Sequence, residues 1–267
     1  MSMVLPTEVT TVSKAWLVQK FLMIGAGKIG KSEFWAQDPG ALFIETEAGL
    51  NHLAVKKLPC RSWDDLREIY ELLYGAQVSG HPFPYTTIVV DTIDRFVDLA
   101  VEEVIARAKL AYPKQKESIN VISDIADGRI GWAWLKDLTR LTLAKLAELP
   151  AALVLIGHVQ SKEVKEENRT FNKNTLNIGG QIGNSLLHWA DHTLHIRSKY
   201  IGQDIVRELR TLPSESLEAG SRGRFVAAST PSLRAFRQTF LSISASFFAS
   251  CGMPVIRARK PANITLA

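Results

Sequence analysis

The sequence predicts an α/β fold, a mostly parallel central sheet flanked by helices, with an antiparallel hairpin towards the C-terminal end at the sheet edge. Three observations carry that expectation. Apolar, β-branched runs of strand length alternate with segments of helical period, the rhythm of right-handed βαβ crossovers. The runs are apolar at almost every position, as strands covered on both faces are. From His192 onward the rhythm changes to two strand-like runs joined by a short turn.

In chain order, Trp16-Leu17-Val18 and Phe21-Leu22-Met23-Ile24 make the first apolar run. Residues 41–44 (Ala-Leu-Phe-Ile) read as a second strand, and 63–73 as an amphipathic helix that Ser62 can cap. Residues 86–90 are β-branched and apolar, a strand buried on both faces. Residues 93–111 and 132–149 have helical period, and Pro150 ends the second of these. Residues 152–156 form a fourth buried strand, and 192–197 with 205–210 flank Gly202-Gln203-Asp204 as the hairpin. Residues 161–183 are polar, rich in Asn and Lys, and contain Gly179-Gly180. They read as a long loop, and with few apolar anchors the loop is expected to be mobile.

At 267 residues the chain suits one large α/β unit, here 1–225, with a basic, serine-containing extension over 226–267. Hydrophobic residues at 46% and charged residues at 22% are those of a soluble globule. The polar start at Thr7-Glu8 lacks a signal-peptide pattern, and a cytoplasmic location follows as an expectation. Residues 240–256 are short for a membrane span and contain Pro254, so no membrane partner is expected. Cys60 and Cys251 form no metal or disulfide pattern and read as buried small hydrophobes. The net charge of +5 is uneven. After Glu218 there is no acid, while Arg222, Arg224, Arg234, Arg237, Arg257, Arg259 and Lys260 leave the rest of the chain at 25 basic against 27 acidic residues. A basic end suits a polyanion or simply solvent.

Chemistry enters at Ile24–Ser32, IGAGKIGKS. Gly25, Gly30, Lys31 and Ser32 fit G-x-x-x-x-G-K-[ST], the phosphate-binding loop, after an apolar run and before a helix opened by Ser32-Glu33-Phe34. Gly25, Ala26, Gly27, Lys28, Ile29 and Gly30 can turn their N–H groups onto an anion, Lys31 reaches the β- and γ-phosphates, and the Ser32 hydroxyl ligates Mg²⁺. Glu33 follows in the same nucleotide-binding segment. Asp91 closes a strand at the carboxyl edge, where open α/β sheets bind ligands, and suits a magnesium held through water. Asp94 reads as the cap of the next helix. Glu45 and Glu47 follow the second strand, face the same way on a period of two, and either can orient a water. His158 ends the fourth strand, where it can touch the γ-phosphate and report to the segment that follows.

This ordered set resembles the RecA-like phage ATPases, the phage nucleotide-binding proteins that include the Sak-type single-strand annealing proteins. It rests on residues 25–32, 43–50, 88–92, 155–158 and Gly179-Gly180 before Leu186-Leu187-His188-Trp189-Ala190-Asp191, and covers roughly residues 20–225. The resemblance implies a RecA-type core that binds ATP and Mg²⁺ between subunits of a ring or filament, with hydrolysis stimulated by DNA. Glu47 matches the water-activating carboxylate and His158 the position that couples nucleotide to DNA. Lys162, Lys165, Arg169 and Lys173 fall where the second DNA-binding loop lies, and Arg129 near the first. Arg222 and Arg224 fall in the closing motif, as candidates for reaching a neighbour's phosphate. Two departures stand out: Ala26 and Gly27 replace prolines frequent in the loop, and Phe225-Val226 replaces a leucine-proline pair. Single-stranded DNA and a single-strand-binding protein are the partners implied, in the host cytoplasm if phage-encoded.

The residues alone leave a second reading open, an ATPase acting on a protein partner, because Glu163, Glu166 and Glu167 nearly cancel the cations of 161–183. Trp132, Trp134 and Phe171 can stack on bases, although the tryptophans suit a helix core equally. A nucleotide kinase is disfavoured, since nothing in the chain looks like an arginine-rich lid.

Overall fold

A computed structural model describes residues 16–126, 128–166 and 169–222, with Leu233 and Phe236 beyond them. The strands are β1 (Lys20–Gly25), β2 (Ala41–Glu45), β3 (Lys56–Pro59), β4 (Thr87–Asp91), β5 (Ala152–Glu166), β6 (Arg169–Leu176), β7 (His192–Ile201), β8 (Asp204–Arg210) and β9 (Gly220–Ser221). The helices are α1 (Lys31–Ala36), α2 (Trp63–Val78), α3 (Ile93–Ala111), α4 (Arg129–Ala147) and α5 (Gly180–Trp189). The sheet order is β3-β2-β4-β5-β1-β7-β8, parallel from β3 to β7. The expected hairpin is present: β7 pairs with β1 on its inner side, and β8 and β9 join it antiparallel at the edge.

Alternation within the apolar runs splits the core in two. Leu22 and Ile24, Leu42 and Ile44, Ile88 and Val90, and Leu153 and Leu155 face one way, onto α2 to α5. Phe21 and Met23, Phe43, Val89, Val154 and Ile156 face the other, onto α1. On that side Trp16, Phe21, Phe34, Trp35 and Phe236 form an aromatic cluster with centroids 5.0–6.3 Å apart. Leu233 N–H donates to Gln37 Oε1 at 3.0 Å, so two residues assigned from the sequence to the extension pack on the body.

Helix ends follow local chemistry. Ser62 accepts from Asp65 N–H while Asp65 accepts from Ser62 N–H, a reciprocal cap that fixes the start of α2. Thr92, rather than Asp94, caps α3, because its hydroxyl accepts from Arg95 N–H. Helix α4 begins at Arg129, earlier than the apolar period suggests, after Gly128 at φ 78°. Trp134 stacks on Tyr112, as a core residue does, whereas Trp132 is 55% exposed. Cys60 is buried, which pushes its thiol up to about 12 and leaves it inert at neutral pH. Cys251 and residues 240–256 lie outside the described residues. No helix among the described residues is long and apolar enough to cross a membrane.

The largest correction concerns 161–183. It is not a loop: β5 runs on to Glu166 and pairs with β6 from Val159↔Leu176 to Glu166↔Arg169, and α5 then starts at Gly180. A two-stranded arm beyond the sheet, solvated on one face, satisfies its backbone by pairing and needs few apolar side chains. Val164 opposite Phe171 supplies one such pair. Strand β3 also went unread, since Lys56-Lys57-Leu58-Pro59 carries little apolar signal.

Candidate nucleotide site

The phosphate loop leaves β1 at Gly25, which pairs with His158 of β5 and Ile196 of β7. A side chain at Gly25 would meet the Ile196 carbonyl at 2.6 Å, so close packing of the loop on β7 requires glycine. Gly30 adopts φ 96° to turn into α1, and Arg207 of β8 lies against it. Lys31 is 6% exposed, and its ammonium donates to the carbonyls of Gly25 at 3.0 Å and Ala26 at 2.8 Å. Burial pulls its pKa below the ordinary range, against the opposing pull of Asp91, Asp94 and Glu47. A cation held by neutral carbonyls next to an open loop is ready to exchange them for phosphate oxygens.

Across the loop, Ser32 Oγ donates to Asp91 Oδ2 at 2.6 Å. Burial raises the Asp91 pKa, partly offset by the Ser32 hydrogen bond and Lys31. A hydroxyl and a carboxylate in contact are side chains that would hold Mg²⁺ beside a bound nucleotide. No cluster of three or more His, Cys, Asp or Glu among the described residues could hold a metal by itself.

Glu45 and Glu47 do not face the same way. Glu45 ends β2 and accepts from Lys57 Nζ at 3.1 Å, Arg61 Nη2 at 3.2 Å and Leu50 N–H at 3.1 Å. Burial alone would raise its pKa, but the Lys57 and Leu50 hydrogen bonds and both cations hold it below the ordinary range. Glu47 lies past the strand, where the period of two no longer applies, and accepts from Thr92 Oγ1 at 2.9 Å. A clasp fixes this approach: Thr46 Oγ1 accepts from Thr92 N–H at 2.7 Å and donates to Thr92 O at 2.9 Å. Thr46 and Thr92 gave no sequence signal beyond their adjacency to Glu45 and Glu47 and to Asp91, respectively.

His158 stands at the far wall. Its N–H donates to Asp94 Oδ2 at 3.0 Å and its Nδ1 lies 3.4 Å from the same oxygen. Asp94, read as a helix cap, thus holds His158, and its Oδ1 is buried without a partner among the described residues. Gly27, Lys28, Gly30, Lys31, Ser32, Glu33, Glu47, Asp91, Thr92 and His158 line one cavity of about 610 Å³. A second cavity, about 350 Å³, continues from Gly30 and Glu33 past Phe34 and Gln37 to Arg207, which bonds Glu33 at 2.5 Å. The AAA domain family matches residues 18–223, a span that begins before β1 and ends after β9. The chain belongs to that family. It is therefore a nucleotide-binding P-loop NTPase. No curated protein matches the chain.

The cations proposed for DNA are only partly gathered in this AAA-domain chain. Lys162 and Lys173 face each other across β5 and β6 and line a polar cavity of about 620 Å³ with Asp191, Glu218 and Arg222. Lys165 and Arg169 lie nearer the tip, and Arg129 is on the first turn of α4 rather than on the hairpin. Three of the hairpin cations meet acids: Lys165 with Glu163 at 3.4 Å, Arg169 with Glu215 at 3.0 Å and Lys173 with Glu218 at 2.8 Å. Arg222 pairs with Asp191 at 3.1 Å and donates to His188 O at 2.9 Å. Asp191 stands at the amino end of β7, the opposite end of the strands from the phosphate loop, so Arg222 does not serve its own chain's loop. Arg224 lies outside the described residues.

Proposed function

We propose that this protein is an ATP hydrolase acting on single-stranded DNA in recombination or annealing, of the phage type its motifs resemble. The observation that carries the reading is His158. It lines the phosphate cavity, and its carbonyl accepts from Asn177 N–H at 2.9 Å, where β6 hands over to α5. One residue therefore touches both the γ-phosphate region and the root of the basic hairpin.

In this reading the loop N–H groups and Lys31 hold the phosphates, and Glu47 orients the attacking water and takes its proton. Ser32 would hold Mg²⁺ directly and Asp91 through water, and the ion would neutralise charge on the β- and γ-phosphates. The cavity beside Gly30 and Arg207 takes the nucleoside. Self-association into a ring or filament brings Arg222 or Arg224 of one subunit to another's phosphates, and the setting is the host cytoplasm.

The paired hairpin cations favour a second reading, an ATPase whose hairpin engages a protein. Retention on single-stranded DNA across a salt series, with and without ATP, separates the two. The first reading expects binding that ATP strengthens and salt weakens steeply. Full ATPase activity with no salt-sensitive retention would leave the protein-partner reading standing.

A further inference from the structure

Two surfaces on the helical layer, outside the nucleotide site, complement each other. The first is a groove of about 630 Å³ between α4 and α5. Leu143, Ile182, Leu186 and Trp189 line it, Lys136 and Arg140 stand on one wall, and no acid lines it. Among the described residues, Lys136 has only a 3.5 Å contact with Gln181, and Arg140 only a 3.8 Å approach to Asp137. Thr139, 3% exposed, also lines the groove, and its buried hydroxyl has no partner among the described residues. A groove with an apolar floor, a cationic wall and an orphaned buried hydroxyl is an incomplete interface rather than a finished surface.

The second surface is the outer stripe of α2. Leu66, Ile69 and Leu73 face the core, and Glu68, Glu71, Leu72, Gly75 and Val78 fall on the opposite side of the helix. Leu72 is 60% and Val78 61% exposed. Gly75 has no atom within 4 Å of where a side chain would begin, so another helix can approach there closely. Glu68 and Glu71 form no ion pair among the described residues, and at a spacing of three they match the four-residue spacing of Lys136 and Arg140.

We infer that the α2 stripe of one copy of this chain docks in the α4–α5 groove of another, Leu72 and Val78 on the apolar floor and Glu68 and Glu71 on Lys136 and Arg140. The inference rests on the self-association proposed above and names its contact. Charge complementarity selects a second copy: no acid lines the groove, Glu68 and Glu71 stand on the stripe, and Arg67 at its margin is turned onto Asp64 and Glu103. The concave aliphatic floor suits side chains of a helix better than the flat stacking of bases.

Sedimentation velocity over a concentration series tests it with three variants. Glu68→Lys/Glu71→Lys and Lys136→Glu/Arg140→Glu should each weaken association tenfold or more, and the quadruple charge swap should restore it. Ser185→Trp, which fills the groove without changing charge, should also weaken it, while nucleotide binding and circular dichroism stay as in the parent. If the parent associates and none of the variants changes that, the contact is wrong and self-association stands. A parent that remains monomeric at every concentration overturns both. Loss in each double variant without rescue by the swap overturns the contact, as does loss of oligo(dT) binding with association intact, which would make the groove a nucleic-acid surface.

Discussion

Glu45 and Glu47 stand two positions apart and have opposite fates, decided by their neighbours. Glu45 is consumed by Lys57, Arg61 and the Leu50 amide, whereas Glu47 opens on the phosphate cavity with Thr92 as its anchor. Glu47→Gln keeps an acceptor for Thr92 Oγ1 but cannot take a proton. It should bind ATP as the parent does and lose turnover by roughly 10²-fold or more in a steady-state assay. Glu45→Gln should leave turnover alone and lower stability by about 2 kcal/mol, because it removes the charge that strengthens three hydrogen bonds. Normal hydrolysis by Glu47→Gln would reverse the assignment. The same cavity sets a pH dependence. Burial raises Asp91 above its ordinary 3.8 and lowers Lys31 below its ordinary 10.5. The free protein should therefore lose magnesium-dependent nucleotide affinity on acidification sooner than an ordinary Asp implies, and on the alkaline side sooner than an ordinary Lys implies. For folding the sign is opposite for Asp91. A raised carboxyl pKa means that the native state binds the proton more tightly than the unfolded chain, so stability falls as pH rises through that window. Asp91→Asn should then raise the melting temperature of the nucleotide-free protein at neutral pH while weakening the response to Mg²⁺, and an unchanged magnesium titration would remove Asp91 from the site.

Elements whose signal is continuous apolar sequence were legible: β1, β2, β4 and the first part of β5 fall where the runs of residues 21–24, 41–44, 86–90 and 152–156 place them. Helix α2 was legible from period and cap, α3 from period although Thr92 rather than Asp94 caps it, and the phosphate loop from its local pattern of glycines, lysine and serine. What escaped either carries no apolar period or depends on partners distant in the chain. The β5–β6 arm is strand because the two segments pair with each other, and a Lys-, Glu- and Asn-rich strand leaves no hydrophobic period to read. Asp94 was read by its place near a helix start, but its carboxylate serves His158, 64 residues away. Arg207 reaches the phosphate loop from β8, 174 residues from Glu33, and no local motif marks it. Pairing also changes what the arm can do. The paired hairpin holds three of its cations against acids, so a ligand must displace Glu163, Glu215 and Glu218 from Lys165, Arg169 and Lys173. Changing Lys162, Lys165, Arg169 and Lys173 to Ala should weaken single-stranded DNA binding and flatten its salt slope by up to about 0.7 for each phosphate no longer neutralised. ATP affinity should not change. Filter binding over a salt series checks this, and an unaltered slope would move DNA recognition off the hairpin.

At the scale of the whole molecule, the proposed function turns on an arginine supplied by a neighbouring subunit and on the surface that would hold a polyanion. Arg222 lies at the opposite end of the strands from its own phosphate loop and is held by Asp191, so any role at phosphate is played in a neighbour's site. Lys31→Ala and Arg222→Ala subunits, each inactive alone, should then regain part of the ATPase rate when mixed. A mixture no better than its parts would dismiss Arg222 and leave Arg224 to be tested the same way. In the proposed function the basic end and the hairpin are alternative sites for DNA, and simple truncation cannot separate them. Leu233 and Phe236 are 2% and 4% exposed, and Phe236 packs on Trp16, Phe21 and Phe34. Deleting everything after Phe225 would strip an aromatic side chain from the core of the body. Phe236→Ala alone should cost about 3 kcal/mol by thermal or urea unfolding. DNA binding abolished by truncation would therefore report a damaged fold as readily as a missing arm. Neutralising Arg257, Arg259 and Lys260 together leaves Phe236 in place and removes only charge. If the hairpin is the DNA element, this triple variant should keep the parent's melting temperature, its salt slope and most of its affinity for oligo(dT), while the hairpin variant loses slope and affinity. If the triple variant loses the affinity and the hairpin variant keeps it, the nucleic acid is held by the basic end, and the hairpin is free for a protein partner.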